Sequence, residues 1–479
     1  MTLIQKFAET AFRKCNKVAL ITEKNQLSYE DLLNLLHCCD VQLQMRGLRE
    51  GTTVVLKTDR AEINLIFMFL ASYRSLNIIY ANIESVIAQG IDFDYYISTE
   101  DNPAVSSDNK LIITGDWFAT LGNTPVPDYR LEKSARATFT FTSSGSTGVP
   151  KFVRQSDASL LWAIENNVNP GEPSADTRYL ATPSTTMAWA MFGNMAVLLE
   201  GGSVVILGEN RDKILQYIDL YQVSSMIVTP ALLNQIVEMP EAGQYLSSLR
   251  VVRVGGASTS VQLLARFREI CDARLTIGYG SSETGGICTV GFSELSDKPQ
   301  GCIGRSYRND LETAFFDDDL NLLPGADQGI VGFKSTNPVN DVHYLLPQND
   351  QKTGFVNGHF LPGDVMRRDG DWLFLIGRTK NIINFSGNKI SLEAIQTVLE
   401  TVTPNGLVTC ISVPDDMGLE QLVVFYDGTD AIPDQKFNDV LREKFANIST
   451  RKIIHLPSFP LLPSGKLDID KLRESVTWN

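Results

Sequence analysis

The stretch of this sequence richest in chemistry runs Thr140-Phe141-Thr142-Ser143-Ser144-Gly145-Ser146-Thr147-Gly148-Val149-Pro150-Lys151. From Thr142 to Lys151 it carries five hydroxyls, two glycines and a lysine. Glycines let backbone N–H groups come close to an anion, hydroxyls add donors, and lysine supplies a compact positive charge. Ser143, Ser144, Gly145, Ser146, Thr147, Gly148 and Lys151 are therefore candidates to cradle a polyphosphate. The spacing Gly145-x-x-Gly148-x-x-Lys151 lacks the Gly-Lys-Ser/Thr ending of a Walker A loop. A polar surface loop is the alternative, because Ser, Thr and Gly clusters commonly punctuate surfaces.

A second concentration is Gly278-Tyr279-Gly280-Ser281-Ser282-Glu283-Thr284-Gly285-Gly286, after an expected strand Arg274–Ile277. In open α/β sheets ligands bind beyond the carboxyl ends of strands, so Glu283 among hydroxyls could ligate Mg²⁺ between phosphates. The flat ring of Tyr279 could lie on a base. A Gly-rich turn with a capping glutamate explains the same residues. Further on come Leu361-Pro362-Gly363-Asp364, Trp372–Lys380 with Arg378, Ser386-Gly387-Asn388-Lys389-Ile390 and Pro463-Ser464-Gly465-Lys466-Leu467.

Taken in this order, the motifs resemble the adenylate-forming superfamily, which includes acyl- and aryl-CoA synthetases, adenylation domains of peptide synthetases, and luciferases. The resemblance implies ATP-dependent activation of a carboxylic acid as an acyl-adenylate, with pyrophosphate as leaving group, Mg²⁺ as cofactor and a pantetheine thiol as acceptor. It implies that Ser143, Ser144, Thr147 and Lys151 hold the β- and γ-phosphates, that Glu283 ligates Mg²⁺, and that Ser282, often Thr in relatives, touches the α-phosphate. Asp364 and Arg378 would grip the ribose. Tyr279, Gly280 and the turn Gly255-Gly256-Ala257 would frame the adenine and the acid. Lys466 would bridge the acid's carboxylate and the α-phosphate, since such a crowded anionic transition state needs positioned cations. Lys380 would be the hinge between two poses. In the second pose Ser386, Gly387, Asn388 and Lys389 would line the path of a pantetheine thiol.

Thr182–Gly193 resembles the family's acid-pocket segment. Counting back from Gly201, Ala188 stands where amino-acid-activating relatives carry an aspartate, and no acidic residue lies between Pro183 and Leu199. An amino acid would leave its ammonium buried and unpaired. Met187, Ala188, Trp189 and Phe192, with Gly278 and Gly286 leaving room, point to a non-amino aryl or medium acyl acid; packing within a helix core explains the same residues. The acceptor thiol that the resemblance implies belongs to CoA or to an acyl carrier protein, for which Arg442, Lys444, Arg451 and Lys452 could form a basic patch; a solvated face explains them as well. Other readings stay open: an enzyme that stops at the adenylate or activates an amino acid, or a nucleotide-binding relative without catalysis.

These groups need a scaffold, and the chain is long enough for one. Its 479 residues, 43% hydrophobic, suggest two or more domains with sizeable cores. Strand and helix patterns alternate. Gly51–Leu56 and Asn77–Tyr80 flank the helix Glu62–Tyr73, and Ser28 with Asp31 caps the helix Leu32–Arg46. Ser156–Asn167 and Met191–Leu199 read as helices, Ser203–Leu207, Ser225–Val228 and Leu249–Val254 as strands. The expected fold class is α/β: an ATP- and acid-binding domain over 1–379, made of doubly wound sheets with a small β-barrel after Gly301. A small mobile α+β domain over 380–479 completes it. The net charge of −14 argues against nonspecific nucleic-acid or membrane-surface binding. No apolar run is long enough for a bilayer span, and the start lacks a signal-peptide pattern, so a cytoplasmic location is expected. Seven cysteines without a Cys-x-x-Cys pair, and four scattered histidines, read as free thiols without a zinc site.

Overall fold

The structure is a computed structural model. It describes all residues except 120–125, 132–135, 144–149, 167–172, 209–210, 296, 299–300, 340, 346–353, 386–387, 404–405, 415–419, 429–430, 446–447, 463–464 and 478–479. The chain forms two compact units. One comprises Met1–Met226, Ser281–Gly286 and Ser335–Thr353; the other comprises Ile227–Gly280, Ile287–Lys334 and Gly354–Asn479.

The first unit is built on a mostly parallel sheet. Asn77–Tyr80 lies between Thr53–Lys57 and Thr138–Ser143, parallel to both, and Tyr95–Ser98 and Lys110–Ile112 extend the sheet beyond Thr53–Lys57. Val54, Val55 and Leu56 are each 0% exposed, as expected of a strand covered on both faces. The crossover helix Ala61–Arg74 is buried at every position from Ala61 to Ser72, which explains its unbroken apolar run. The helix Tyr29–Met45 starts where Ser28 and Asp31 exchange capping hydrogen bonds, so its start was readable to within a few residues. A smaller set of strands, Gln26–Ser28, Val18–Ile21, Ser203–Val205 and Arg178–Ala181, pairs in that order.

In the second unit Val251–Gly255 runs parallel to Arg274–Ser281. From there Gly285–Gly291, Cys302–Ser306, Trp372–Arg378, Asp364–Asp369, Gln328–Ser335 and His359–Phe360 follow in spatial order, and from Gly285–Gly291 onward each pair is antiparallel. Their shared core includes Ile287, Phe315, Val331, Phe333 and Met366. Residues beyond 380 add a hairpin, Ile382–Phe385 with Asn388–Ser391, and a sheet of Val408–Pro414, Glu420–Tyr426 and Lys452–His455. Two apolar clusters there, one around Leu399 and Phe437 and one around Phe425 and Leu472, draw only on residues beyond 380.

Several element boundaries shift by a few residues from the sequence reading, and two of these shifts touch candidate site residues. The strand expected over Arg274–Ile277 continues to Ser281; pairing with Val251–Gly255 carries it as far as Gly278, and Gly285–Gly291 is its other hydrogen-bonded neighbour. The helix expected from Met191 starts at Ala188, with Met187 as N-cap and no side-chain cap to announce it. All seven cysteines are free thiols, six of them buried. Among the described residues no helix is long and apolar enough to cross a membrane.

Candidate active site

Strand register brings the ends of the hydroxyl-rich loop together. Thr138–Ser143 and Lys151–Ser156 are antiparallel, and Ser143 sits directly opposite Lys151. The loop therefore leaves and re-enters the sheet at one point, with a hydroxyl on one side and an ammonium on the other. Glu283 comes to the same place from far along the chain. It lies in the turn between Arg274–Ser281 and Gly285–Gly291, where Thr284 N–H donates to Ser281 Oγ at 3.2 Å. Glu283 is 8% exposed; its Oε1 accepts from Tyr344 OH at 2.8 Å and from Ser143 Oγ at 3.4 Å. Tyr344 also carries the Lys151 ammonium over its ring, 4.9 Å from the centroid. Burial, and after it the Glu283 carboxylate, pushes the Tyr344 hydroxyl far above its ordinary pKa, so it remains a donor.

Ser143, Lys151, Glu283 and Tyr344 thus combine donors, a cation and one hard carboxylate. Among the described residues Glu283 Oε2 accepts no hydrogen bond. An oxygen of this kind fits Mg²⁺, which takes one or two carboxylates plus phosphate oxygens. Among the described residues no group of three or more His, Cys, Asp or Glu is placed to hold a metal alone. A cation here would take its remaining ligands from a phosphate substrate and water.

A second cluster centres on Asp364, which is 1% exposed. Its Oδ1 accepts from Arg378 Nε at 2.9 Å and its Oδ2 from Tyr279 OH at 2.5 Å. Register explains the first contact, since Asp364 and Arg378 are opposed across an antiparallel pair. Burial, and next the Asp364 carboxylate, pushes the Tyr279 hydroxyl well above its ordinary value. Tyr279 packs its half-buried ring against the Phe333 cluster while its hydroxyl holds Asp364. Each Asp364 oxygen keeps a second lone pair beside its protein donor.

The turn carrying Lys466 is closed by a Leu461–Leu467 bridge and by Leu462 N–H donating to Lys466 O at 2.8 Å. Gly465 takes φ +76°, which favours glycine, and its carbonyl accepts from buried Thr229 Oγ1 at 2.6 Å. Lys380 is exposed, in the turn Thr379–Asn381. Glu393 brackets that turn, accepting from Arg378 N–H at 3.4 Å and from Asn381 Nδ2 at 2.6 Å.

On the helix Ala188–Leu199, Ala188, Ala190 and Met191 are buried, whereas Trp189 and Phe192 lie half-buried at i, i+3 spacing on one face, after half-buried Met187. Phe192 meets Phe141 edge-on at 5.8 Å, and Phe141 stacks on Tyr80 at 5.5 Å, which ties this helix to the strand leading into the loop.

A family model described as AMP-binding enzyme matches residues 81–338. The chain belongs to the AMP-binding enzymes. It is 28% identical over 398 residues to Triostin synthetase I of Streptomyces triostinicus, covering 80% of this chain and 73% of that protein. It is 24% identical to 2-succinylbenzoate–CoA ligase of Listeria monocytogenes, over 96% of each. The solved structure of the anthranilate CoA ligase AuaEII with anthranoyl-AMP superposes with TM-score 0.82 at 19% identity, covering 99% of this chain and 97% of that one. The members found in this way are adenylate-forming, so acid activation through an adenylate is the chemistry of the family.

In this AMP-binding enzyme several expected positions lie outside the described residues: Ser144, Gly145, Ser146, Thr147 and Gly148 of the loop, and Ser386 and Gly387 of the later hairpin. Asn388 and Lys389 begin the second strand of that hairpin. Gly255 ends its strand, with Gly256 and Ala257 exposed after it; Gly280 is exposed, Gly278, Ser282 and Gly286 half-buried. Three of the four basic residues considered for an acceptor have local partners: Arg442 lies 3.9 Å from Asp439, Lys444 lies 4.0 Å from Glu443, and Lys452 donates to Thr477 O at 2.8 Å. Sequence reasoning missed Tyr344, Thr229 and Glu393. Of these only Thr229 had a signal, as a Thr-Pro helix start, and that signal says nothing of Gly465.

Proposed function

We propose that this AMP-binding enzyme activates a non-amino aryl or medium acyl acid with ATP and passes the acyl group to a pantetheine thiol, on CoA or on a carrier protein. The observation that carries the ATP half is the meeting of Ser143, Lys151 and Tyr344 with Glu283. There Ser143 and Lys151 hold the outer phosphates. Glu283 would hold Mg²⁺, which supplies charge neutralisation on the phosphate oxygens. Asp364 and Arg378 grip the ribose, with Tyr279 fixing the Asp364 carboxylate. Lys466 meets the acid's carboxylate and the α-phosphate.

The carboxylate oxygen forms a bond to the α-phosphorus as the bond to pyrophosphate breaks. No protein nucleophile is needed; positioned charge lowers the barrier. A thiolate then attacks the acyl carbon and AMP leaves. The half-buried Trp189 and Phe192, and the lack of an acidic residue in that segment, favour an acid without an ammonium. Relatives named for 2-succinylbenzoate and anthranilate support an aryl acid. The test is a panel of aryl, short, medium and long acids, each offered CoA and a phosphopantetheinylated carrier protein, with intact mass and AMP release as readouts. Acyl thioester from an aryl or medium acid is expected. Persistent acyl-AMP, with no AMP released and no thioester formed under either acceptor, would refute the thiol step.

A further inference from the structure

Arg253 stands in the strand Val251–Gly255, whose Val251, Val252 and Val254 are all buried. A guanidinium cannot shed its charge, so in such a strand it needs an anion or water. The neighbouring Arg308 shows the usual solution: it is 5% exposed and forks onto Asp310 through Nε and Nη2, each at 2.7 Å. Among the described residues no carboxylate pairs with Arg253. Arg253 and Arg308 both act electrostatically on the Tyr307 hydroxyl.

Two further observations lie beside it. Thr276 is directly across the parallel pair from Arg253, and residues so paired project from the same face. Thr276 is 6% exposed, and its Oγ1 has no hydrogen-bond partner. A buried hydroxyl left unpaired is costly, about 1–3 kcal/mol, and calls for an occupant that satisfies it. Two residues further along the same strand face is Gly278, over which the Arg253 stem runs. A β-carbon there would lie 3.5 Å from Arg253 Cδ and 3.7 Å from Cγ.

We propose that Arg253 and Thr276 form an anion subsite for the acid substrate, so that the substrate is a carboxylic acid bearing a second anionic group remote from the activated one. The inference rests on the reading of Gly278 as part of the acid site. A guanidinium fork with an adjacent hydroxyl donor matches a carboxylate or sulfonate.

The experiment compares matched acids in acid-dependent pyrophosphate–ATP exchange: aryl or medium-chain monoacids, the same bodies with a second carboxylate, and the same bodies with a sulfonate. The diacid is expected to exceed its monoacid in kcat/KM by about 10- to 100-fold, the range of one charge-assisted hydrogen-bonded contact. The sulfonate arm separates recognition of charge from recognition of carboxylate shape. Arg253→Met is expected to remove the preference through KM. Thr276→Val, a smaller change that serves if the arginine variant fails to fold, is expected to reduce it by about 3- to 10-fold. Equal use of both acids, or preference for the monoacid, overturns the subsite and leaves the proposed function standing. Absence of exchange with every acid refutes the proposed function itself and takes the subsite with it.

Discussion

Removing one hydroxyl tests how the Lys466 turn is held. Thr229→Val deletes the donor to Gly465 O at 2.6 Å and the cap on Leu232 N–H at 3.4 Å. A buried carbonyl left without its donor costs about 1–3 kcal/mol, and the lost cap about 1 kcal/mol of helix stability. If the turn must sit on Thr229 for Lys466 to act, the first cost is felt in acyl-AMP formation, which slows by roughly 5- to 150-fold. Transfer from supplied acyl-AMP to a thiol should keep its wild-type rate. Thr229→Ser, which retains the hydroxyl, separates the bond from the loss of a methyl group. Gly465→Ala attacks the same contact from the other side. Its φ of +76° strains any β-carbon, and that carbon would stand 3.0 Å from Thr229 Oγ1. Single-turnover assays of the two half-reactions decide the matter. Equal losses in both, or none in acyl-AMP formation, would refute the reasoning.

Tyr279→Phe removes the donor at 2.5 Å from an Asp364 that is 1% exposed, and is expected to raise KM for ATP by about 5- to 100-fold with little change in kcat; a lower melting temperature with unchanged KM would show that Asp364 serves the fold and not the nucleotide. Glu400, at the C-terminal end of the helix Leu392–Leu399, has its pKa raised from 4.5 to about 7, chiefly by burial. A raised carboxyl favours the fold at low pH and loses that contribution as pH climbs through about 7, a swing of at most roughly 3 kcal/mol. Glu400→Gln should therefore match wild type in thermal melts near pH 4 and exceed it near pH 8, and a constant difference across that range would disprove the shift.

How much the sequence discloses depends on the range of the contact. The cap at Ser28, the buried run of Ala61–Arg74 and the alternation of Thr138–Ser143 are local, and each was readable from residue type and spacing. The meeting of Ser143 with Lys151 follows from one hairpin register. Tyr344 on Glu283, Tyr279 on Asp364 and Thr229 on Gly465 join residues 61, 85 and 236 positions apart, and no spacing rule reaches that far. The glycines from Gly278 to Gly280 read as a turn because glycine weakens strands, yet the strand runs through them to Ser281, paired with Val251–Gly255 as far as Gly278. Arg253 was passed over because an arginine in a valine run signals nothing until its neighbours are known.

The most direct test of the central claim is acid-dependent exchange of labelled pyrophosphate into ATP, measured for wild type and Lys466→Ala with a productive acid. The expected result is exchange in wild type and a severe loss in the variant, which should still convert supplied acyl-AMP to thioester. Exchange at the wild-type rate in Lys466→Ala would contradict the assignment of that lysine and the chemistry built on it.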